Sequence, residues 1–279
     1  RSLTTCPFGV NLFFPSVPAE RAAIERYAAA FRPEADRLDV ELGEPRWDDD
    51  GYTAKLDVVA AERPDLVTFT FGCPGPDVVA RLQAAGVRVG VTVTAVEAAT
   101  TAAGAGADLL IVQGTEAGGH QGGLDDHGPN RTPLLQLLGQ VRAATSLPLI
   151  GSGGVMDSAG LRAVLNAGAV AAQLGTALLC TPEAGTSEVH RRALLARQFA
   201  DTVLTRAFSG HYGRGLANRF AREHADAPRG YPEIHHLTSP LRAAARRAGD
   251  PDVPNLWAGT GWRSVQALPA AELVRAIVG

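Results

Sequence analysis

A single histidine stands among glycines in the segment GTEAGGHQGG, residues 114–123. His120 has paired glycines at positions 118–119 and 122–123, so its small neighbours leave the ring free and let a flat ligand come close. An imidazole titrates near neutral pH and can take a proton from a carbon acid. A lone loop histidine is more often a solvated residue without a role. The glycines and the apolar strand before them favour a general base here.

Two further loops are rich in backbone donors and follow neighbouring strands. GSGGVMDSAGLRAVL, residues 151–165, places Gly153 and Gly154 between a strand and a helix, where N–H groups and the helix dipole favour a phosphate. The segment QLGTALL supplies Gly175 and Thr176 at the next strand end. One such loop is as consistent with a tight turn as with a ligand. Two neighbouring loops favour the phosphate site that barrels have after their last two strands.

Amide side chains lie at the ends of two predicted strands. Gln113 ends the run DLLIVQ, and Asn11 lies in GVNLF. A carboxamide both donates and accepts hydrogen bonds, which suits the edge of a heterocycle. The commoner role of such an amide is to bind loop backbone, and each position alone is consistent with that role.

The remaining histidines and the three cysteines show no metal-ligand spacing. We expect these histidines on the surface or in an appended segment, with one able to line the mouth of the site. Cys73 follows a strand in FGCPGP without an activating neighbour, so we expect a structural role. Few, widely separated cysteines are typical of a reducing compartment, and we expect a cytoplasmic protein without a bound metal.

Bulk properties exclude several classes of protein. The 279 residues are 46 % hydrophobic, which is enough for one large domain with or without an appendage. The net charge of −3 and the absence of a basic cluster argue against nucleic acid or a membrane surface as partner. No apolar stretch is long enough to predict a membrane span. The chemistry above therefore points to a small-molecule partner.

The elements that must position these residues follow a repeating pattern. Short apolar runs typical of buried parallel strands alternate with alanine-rich helical segments that end in glycine. Glycine-rich loops after several strands, and no G-x-G-x-x-G after the first strand, favour a (β/α)8 TIM barrel over a Rossmann sheet within the α/β class. Six strands are predicted: FGVNLFF (8–14), LVTFTFG (66–72), VRVGVTV (87–93), DLLIVQG (108–114), LPLIGSGG (147–154) and VAAQLGTALL (170–179).

Two segments interrupt the pattern. Residues 31–62 are polar and predict an excursion or a long helix pair after the first strand. Residues 186–245 are rich in arginine and histidine and predict a helical appendage over the barrel mouth. We therefore divide the chain into a barrel core at 1–185, a helical substrate or lid appendage at 186–245 and a C-terminal return to the barrel at 246–279.

Several segments, in their order, resemble the nitronate monooxygenases, formerly called 2-nitropropane dioxygenases. They include PFGVNLF, VTVTAVEAATTAAGAGADLLIVQGTEAGGHQGG, PLIGSGGVMDSAGLRAVLNAGAVAAQLGTALLCTPE, FSGHYGRGLANRF and LWAGTG. The resemblance implies a (β/α)8 barrel that holds FMN without a covalent bond, with His120 as catalytic base. It also implies oxidative denitrification of alkyl nitronates, and of nitroalkanes, by O2 to a carbonyl compound and nitrite. By the same resemblance FMN would contact Asn11, Gln113, Gly118, Gly154, Gln173, Leu174, Gly175 and Thr176.

The sequence also departs from the family pattern. Family members carry roughly two further βα units upstream of PFGVN, out of the eight that a barrel needs. We therefore expect a chain that starts late or is a fragment, and a barrel that does not close. The segment SGHYGRG differs from the usual family wording, so the resemblance leaves the substrate open.

Two other functions stay open. Flavin-dependent enoyl-acyl-carrier-protein reductases share the signature but take hydride from NAD(P)H, and a catalytically idle flavin-binding barrel is the third candidate. The assembly could be a homodimer.

Overall fold

The computed structural model describes residues 4–124 and 126–279. Within these residues nine strands are formed: β1 (Gly9–Phe13), β2 (Leu66–Thr70), β3 (Arg88–Val93), β4 (Leu109–Gln113), β5 (Gly119–His120), β6 (Leu149–Ser152), β7 (Ala171–Gln173), β8 (Thr202–Thr205) and β9 (Gly213–Leu216). The same residues form eleven α-helices: α1 (Arg21–Ala29), α2 (Arg32–Arg37), α3 (Tyr52–Glu62), α4 (Pro76–Ala84), α5 (Val96–Gly104), α6 (Leu134–Ala144), α7 (Ser158–Asn166), α8 (Glu188–Leu195), α9 (Arg219–Glu223), α10 (Glu233–Ala248) and α11 (Ala270–Val278). No helix in this part of the chain is long and apolar enough to cross a lipid bilayer.

The six predicted strands form one curled parallel sheet in the order β1-β2-β3-β4-β6-β7. The alternation of strand and helix along the chain is therefore confirmed. In the residues described, β1 and β7 are edge strands, so the sheet is open and does not form a closed eight-stranded barrel. The last strand is shorter than predicted, because a 3-10 turn at Thr176–Leu178 replaces the end of the run 170–179.

The two faces of this sheet differ sharply in burial. Successive side chains of a strand point to opposite faces, and one set packs against the crossover helices. This outer face is fully buried, and its members include Val67, Phe69, Val89, Val91, Leu110, Val112 and Leu149. The inner face carries Asn11, Thr68, Thr70 and Gln113, which stay partly exposed. The stability of the sheet thus comes from its outer face, and the inner face is left for a ligand.

A second core joins the early excursion to the late appendage. Aromatic and aliphatic side chains of α1, α9 and α10 pack together, among them Ile24, Tyr27, Phe31, Phe208, Phe220, Leu237 and Leu241. Residues 31–62 contain two short helices and not a long helix pair, since α2 ends at Arg37, α3 begins at Tyr52 and the residues between are irregular, which leaves the excursion as the remaining alternative. The appendage at 186–245 is also not purely helical, because it contains β8 and β9.

A small antiparallel sheet ties the histidine loop to this appendage. Its strand order is β5-β9-β8, and His120 lies opposite Gly213. The C-terminal segment adds a bridge between Gly215 and Trp257. Farther along, α11 packs its Leu273 against the core beside Met156. Residues far apart in sequence thus meet at the carboxyl end of the main sheet.

Candidate active site

His120 is held in place by backbone and side-chain contacts. Its strand β5 pairs with β9, so the glycine-rich segment is fixed in place at this residue. The ring nitrogen Nε2 lies 2.7 Å from the Ser209 hydroxyl. Ser209 follows β8 in the chain, in the turn that leads to β9. The appendage therefore sets the orientation of the imidazole.

The surroundings of His120 are mostly aromatic. The ring centres of Trp257, Phe71, Tyr231 and His211 lie 5.2, 5.6, 5.8 and 5.9 Å from its own. Burial, with a smaller contribution from nearby cationic groups, lowers the pKa of His120 to about 3. The imidazole is accordingly neutral at pH 7 and keeps a lone pair that can accept a proton. We call His120, Ser209, His211, Phe71, Tyr231 and Trp257 the histidine cluster.

Phe71 lies at the centre of this cluster in an unusual backbone conformation. Its φ is +76°, a region that bulky residues rarely adopt. Its ring contacts Phe13, His120, His211 and Tyr231, with centroid distances between 4.2 and 5.6 Å. The strained backbone thus directs one side chain against both histidine rings.

The Gln113 amide binds the histidine loop in this structure. Its Nε2 donates to the His120 carbonyl at 3.0 Å, and its Oε1 accepts from the Gly122 N–H at 2.7 Å. This is the backbone-binding role that the sequence left open. Each amide atom retains one further hydrogen-bonding position, so contact between Gln113 and a heterocycle stays a prediction.

Asn11 lies on the inner face of the sheet beside two threonines. Its Oδ1 accepts from Thr68 Oγ1 at 2.8 Å and from Thr70 Oγ1 at 2.9 Å. This series of hydrogen bonds continues to Thr92, whose hydroxyl is 3.3 Å from that of Thr70. Because the threonines occupy the amide oxygen, the Asn11 NH2 group is oriented as a donor. A donor here is suitable for an acceptor atom of a flat ligand.

The predicted phosphate loops meet in a cleft at the ends of β6 and β7. Its lining includes Gly118, Gly153, Gly154, Gly175, Thr176 and Gly259, which we call the glycine cleft. Gly154 has a φ of +72°, and a Cβ on Gly118 would lie 2.5 Å from the Gly259 nitrogen. Glycine is therefore required both for the turn at Gly154 and for the close approach of Gly118 to the C-terminal segment.

The glycine cleft offers unpaired donors. The N–H groups of Gly153, Gly154, Gly175 and Thr176 form no hydrogen bond with the residues that the structure describes. The Thr176 hydroxyl accepts from the Gly259 N–H at 2.9 Å and can still donate its own proton. Converging free N–H groups and a hydroxyl are the donor set that phosphate needs. The cleft therefore fits the phosphate of a nucleotide-like cofactor.

The other predicted contact residues flank this cleft. Gln173 is exposed at the end of β7, and Leu174 is partly buried between two hydrophobic clusters. Gly118 lies two residues before His120, so the cleft and the imidazole are separated by at most about 7 Å of chain. The structure thus brings the predicted phosphate loops and the predicted base to one end of the sheet.

Sequence reasoning missed much of the histidine cluster. Ser209, Phe71, Tyr231 and Trp257 carried no local signal. Of the other histidines, His190 and His211 lie in the segment 186–245, one of the two places expected for them, and both are buried, at 9 % and 6 % exposed.

Glu116, from the histidine loop, is a structural acceptor. Its Oε2 accepts from the Leu134 N–H at 2.9 Å, at the start of α6.

Comparison with known proteins identifies the family to which this chain belongs. The family model described as nitronate monooxygenase matches residues 1–279. The chain belongs to the nitronate monooxygenase family. A nitronate monooxygenase of Pseudomonas aeruginosa is 38 % identical, with 100 % of this chain and 82 % of that protein covered. A probable nitronate monooxygenase of Staphylococcus aureus strain Newman is 35 % identical, with 100 % and 80 % covered.

Solved structures extend the comparison. The nitroalkane oxidase from Streptomyces ansochromogenes superposes with a TM-score of 0.96 at 48 % identity, covering 99 % of this chain and 80 % of that one. FabK from Thermotoga maritima has a TM-score of 0.69 at 24 % identity, covering 99 % and 76 %, and shows the fold alone. Membership of the nitronate monooxygenase family makes the protein an oxidoreductase, and the family is flavin-dependent in general.

Proposed function

We propose that this nitronate monooxygenase family member uses FMN and O2 to convert alkyl nitronates into carbonyl compounds and nitrite. We propose further that neutral nitroalkanes enter the reaction after loss of their α-proton. The observation that carries the proposal is the position of the His120 imidazole, 2.7 Å from the Ser209 hydroxyl and separated by one residue from Gly118 of the glycine cleft. A base next to a phosphate site is what a flavin-dependent oxidation of a carbon acid requires.

The residues of the cleft and the inner face would hold the cofactor. Gly153, Gly154, Gly175 and Thr176 would bind the FMN phosphate through their free N–H groups. Asn11, Gln113, Gly118, Gln173 and Leu174 would line the path of the ring system. When bound, FMN supplies the redox chemistry, accepting electrons from the nitronate and passing them to O2.

His120 would act only on neutral substrates. A nitroalkane must lose its α-proton before it can give up electrons, and the lone pair of the neutral ring can accept that proton. A nitronate has already lost the proton. The aromatic surroundings of His120 lower its pKa, which favours the unprotonated imidazole near pH 7.

The same proposal extends to the architecture. The curled sheet would be part of a (β/α)8 barrel, since the glycine loops follow its last two strands as barrel phosphate loops do. Residues 1–185 would hold the cofactor. Residues 186–245 would cover the substrate, and residues 246–279 would close the cleft through Gly259.

The test is a visible spectrum of the FMN-loaded protein with the nitronate of 1-nitropropane, recorded without and then with O2. We expect bleaching without O2, recovery of colour with O2, and nitrite release. Bleaching by NAD(P)H with turnover of an enoyl thioester would favour the reductase instead. Retained flavin with neither reaction would favour an idle binding protein.

A further inference from the structure

A cavity of about 400 Å³ lies beside the histidine cluster, at the carboxyl ends of β1 and β2. Its walls are mainly apolar and include Phe14, Phe71 and Tyr231, and its polar lining residues include His211, Asp126 and Arg229. We call it the aromatic cavity. Phe71, Tyr231 and His211 also contact the His120 ring. His120 is not part of the cavity wall, and the three shared side chains are what connect its ring with this cavity.

The ring of His211 is fixed on both sides. Its Nδ1 lies 3.3 Å from the Tyr212 carbonyl and 3.7 Å from Asp126 Oδ1. Asp126 is itself held by Arg206, whose Nε donates at 3.0 Å. The ring also packs against Phe71, with 4.2 Å between centroids. The orientation of His211 is thus determined by contacts that do not need a ligand.

These contacts assign the protons of the ring. Both atoms near Nδ1 are acceptors, so Nδ1 carries the hydrogen and Nε2 has the lone pair of a neutral imidazole. Burial lowers the pKa of His211, against the opposing effect of Asp126, and this favours the neutral form. Nε2 forms no hydrogen bond within the part of the chain described. The cavity therefore meets an acceptor and not a donor at this point.

An acceptor here discriminates between substituents. Oxygens of a nitro group or a nitronate only accept hydrogen bonds, so they gain nothing from a lone pair on Nε2. A hydroxyl can donate to it. The ring centres of His120 and His211 are 5.9 Å apart, so an α-carbon against His120 leaves a hydroxyl on the next carbon within reach of His211.

We propose that His211 is a specificity-determining residue and that the aromatic cavity selects nitro compounds with a hydroxyl on the carbon next to the nitro-bearing one. The hydroxyl donates to His211 Nε2, and the carbon chain packs against Phe14, Phe71 and Tyr231. This inference rests on the proposed function for the reaction itself. It adds the class of substrate.

The test compares two nitronates of nearly equal size. Those of 2-nitroethanol and 1-nitropropane differ by a hydroxyl in place of a methyl group. For the FMN-loaded wild type we expect kcat/KM to favour the hydroxylated nitronate by about tenfold, the value of one good hydrogen bond. His211→Phe should bring this ratio close to one. His211→Gln, which keeps an acceptor, should retain part of the preference.

A matched control uses another partly buried histidine. His224 packs between Tyr27 and Phe31, outside the cavity, so His224→Phe should leave the ratio unchanged. A second readout needs no turnover. In protein labelled with ¹⁵N-histidine, the Nε2 resonance of His211 should shift with 2-nitroethanol and not with 1-nitropropane.

The outcomes separate this inference from the proposed function. A wild-type ratio near one without the ¹⁵N shift overturns the inference, as does an equal loss on both nitronates in His211→Phe. If neither nitronate is consumed while the shift is present, the proposed reaction fails and the assignment of the hydroxyl site stands. If the shift is also absent, both fail.

Discussion

The glycine cleft and the histidine cluster lie at the same end of the sheet but are built from different material. The cleft consists mainly of backbone N–H groups, and its lining contains no titratable side chain among the residues described. The cluster consists of side chains that come from the histidine loop, the end of β2, the appendage and the C-terminal segment. The glycine cleft is therefore defined by the conformation of the backbone, and the histidine cluster by the side chains that contact one another there.

This difference determines how each region responds to substitution. In the cleft, added side-chain atoms block the approach of a ligand or the turn itself, so the harm comes from volume and backbone conformation. In the cluster, removal of one polar atom changes proton transfer while the cavity remains. Substitutions in the cleft should therefore change cofactor binding, and those in the cluster should change substrate chemistry.

The strongest test of this separation is His120→Asn. We expect turnover of a neutral nitroalkane to fall by roughly a hundredfold to ten-thousandfold, the range typical of a lost general base. Turnover of the nitronate should fall much less, since no proton has to be taken. Steady-state rates on both substrates, with flavin content measured in parallel, check this. Equal losses on the two substrates would show that His120 positions a ligand and does not act as a base.

The matching test in the cleft is Gly154→Val. The left-handed φ of +72° is strained for a β-branched residue, and its Cβ would lie 3.0 Å from the Glu116 Cβ. We expect FMN affinity to drop on the order of a hundredfold, consistent with the strain of such a residue. Gly139→Ala is the control, because this exposed residue of α6 lies outside the cleft and its Cβ would meet no atom within 4 Å. Fluorescence titration with FMN measures both, and a fully loaded Gly154→Val protein would refute the assignment.

A smaller effect should follow from Ser209→Ala. This change removes the hydroxyl 2.7 Å from His120 Nε2 and leaves the cleft untouched. We expect about a tenfold lower rate on nitroalkanes, the cost of one lost hydrogen bond, with unchanged FMN affinity. Ser264→Ala, at an exposed position, serves as control. A loss of FMN affinity in Ser209→Ala would mean that the two regions are coupled.

Low pH should decrease the free energy of unfolding, because buried histidines of the folded protein resist protonation. Burial lowers the pKa of His120 to about 3 and that of His235 to about 4, below the ordinary 6.5. The unfolded chain therefore binds more protons below pH 6.5, and the free energy of unfolding decreases as the pH falls from about 6.5 toward 4. Urea midpoints across this range measure the decrease. His120→Asn should show a shallower slope, and an unchanged slope would contradict the buried, neutral state of this residue.

The cleft could be predicted from sequence because its signal is local. Gly153 and Gly154 directly follow one apolar strand, Gly175 and Thr176 follow the next, and parallel strands bring such ends together. The six-strand order followed from the same alternation of strand and helix. The sequence also predicts a barrel that does not close, and the six strands of the curled sheet leave two edge strands, while the complete (β/α)8 barrel stays a prediction.

The cluster could not be predicted because its partners are distant in sequence. Ser209 is 89 residues from His120, and the pairing that joins them involves a strand of only two residues, β5. A strand so short has no periodicity to detect. The role of Gln113 could not be predicted from sequence either, because an amide side chain can bind a ligand or loop backbone equally well. In the structure it binds the backbone of the histidine loop.

The backbone of Phe71 carries a consequence for how this protein could change over generations. Its left-handed φ of +76° costs on the order of 1–3 kcal/mol for a residue with a bulky side chain. Glycine would relax that conformation, but it would also remove a buried ring that contacts both imidazoles, and the loss of such a ring costs about 3–5 kcal/mol. Selection for a stable fold and selection for a shaped reaction chamber therefore both favour a large side chain at this position, in spite of the strain in its backbone.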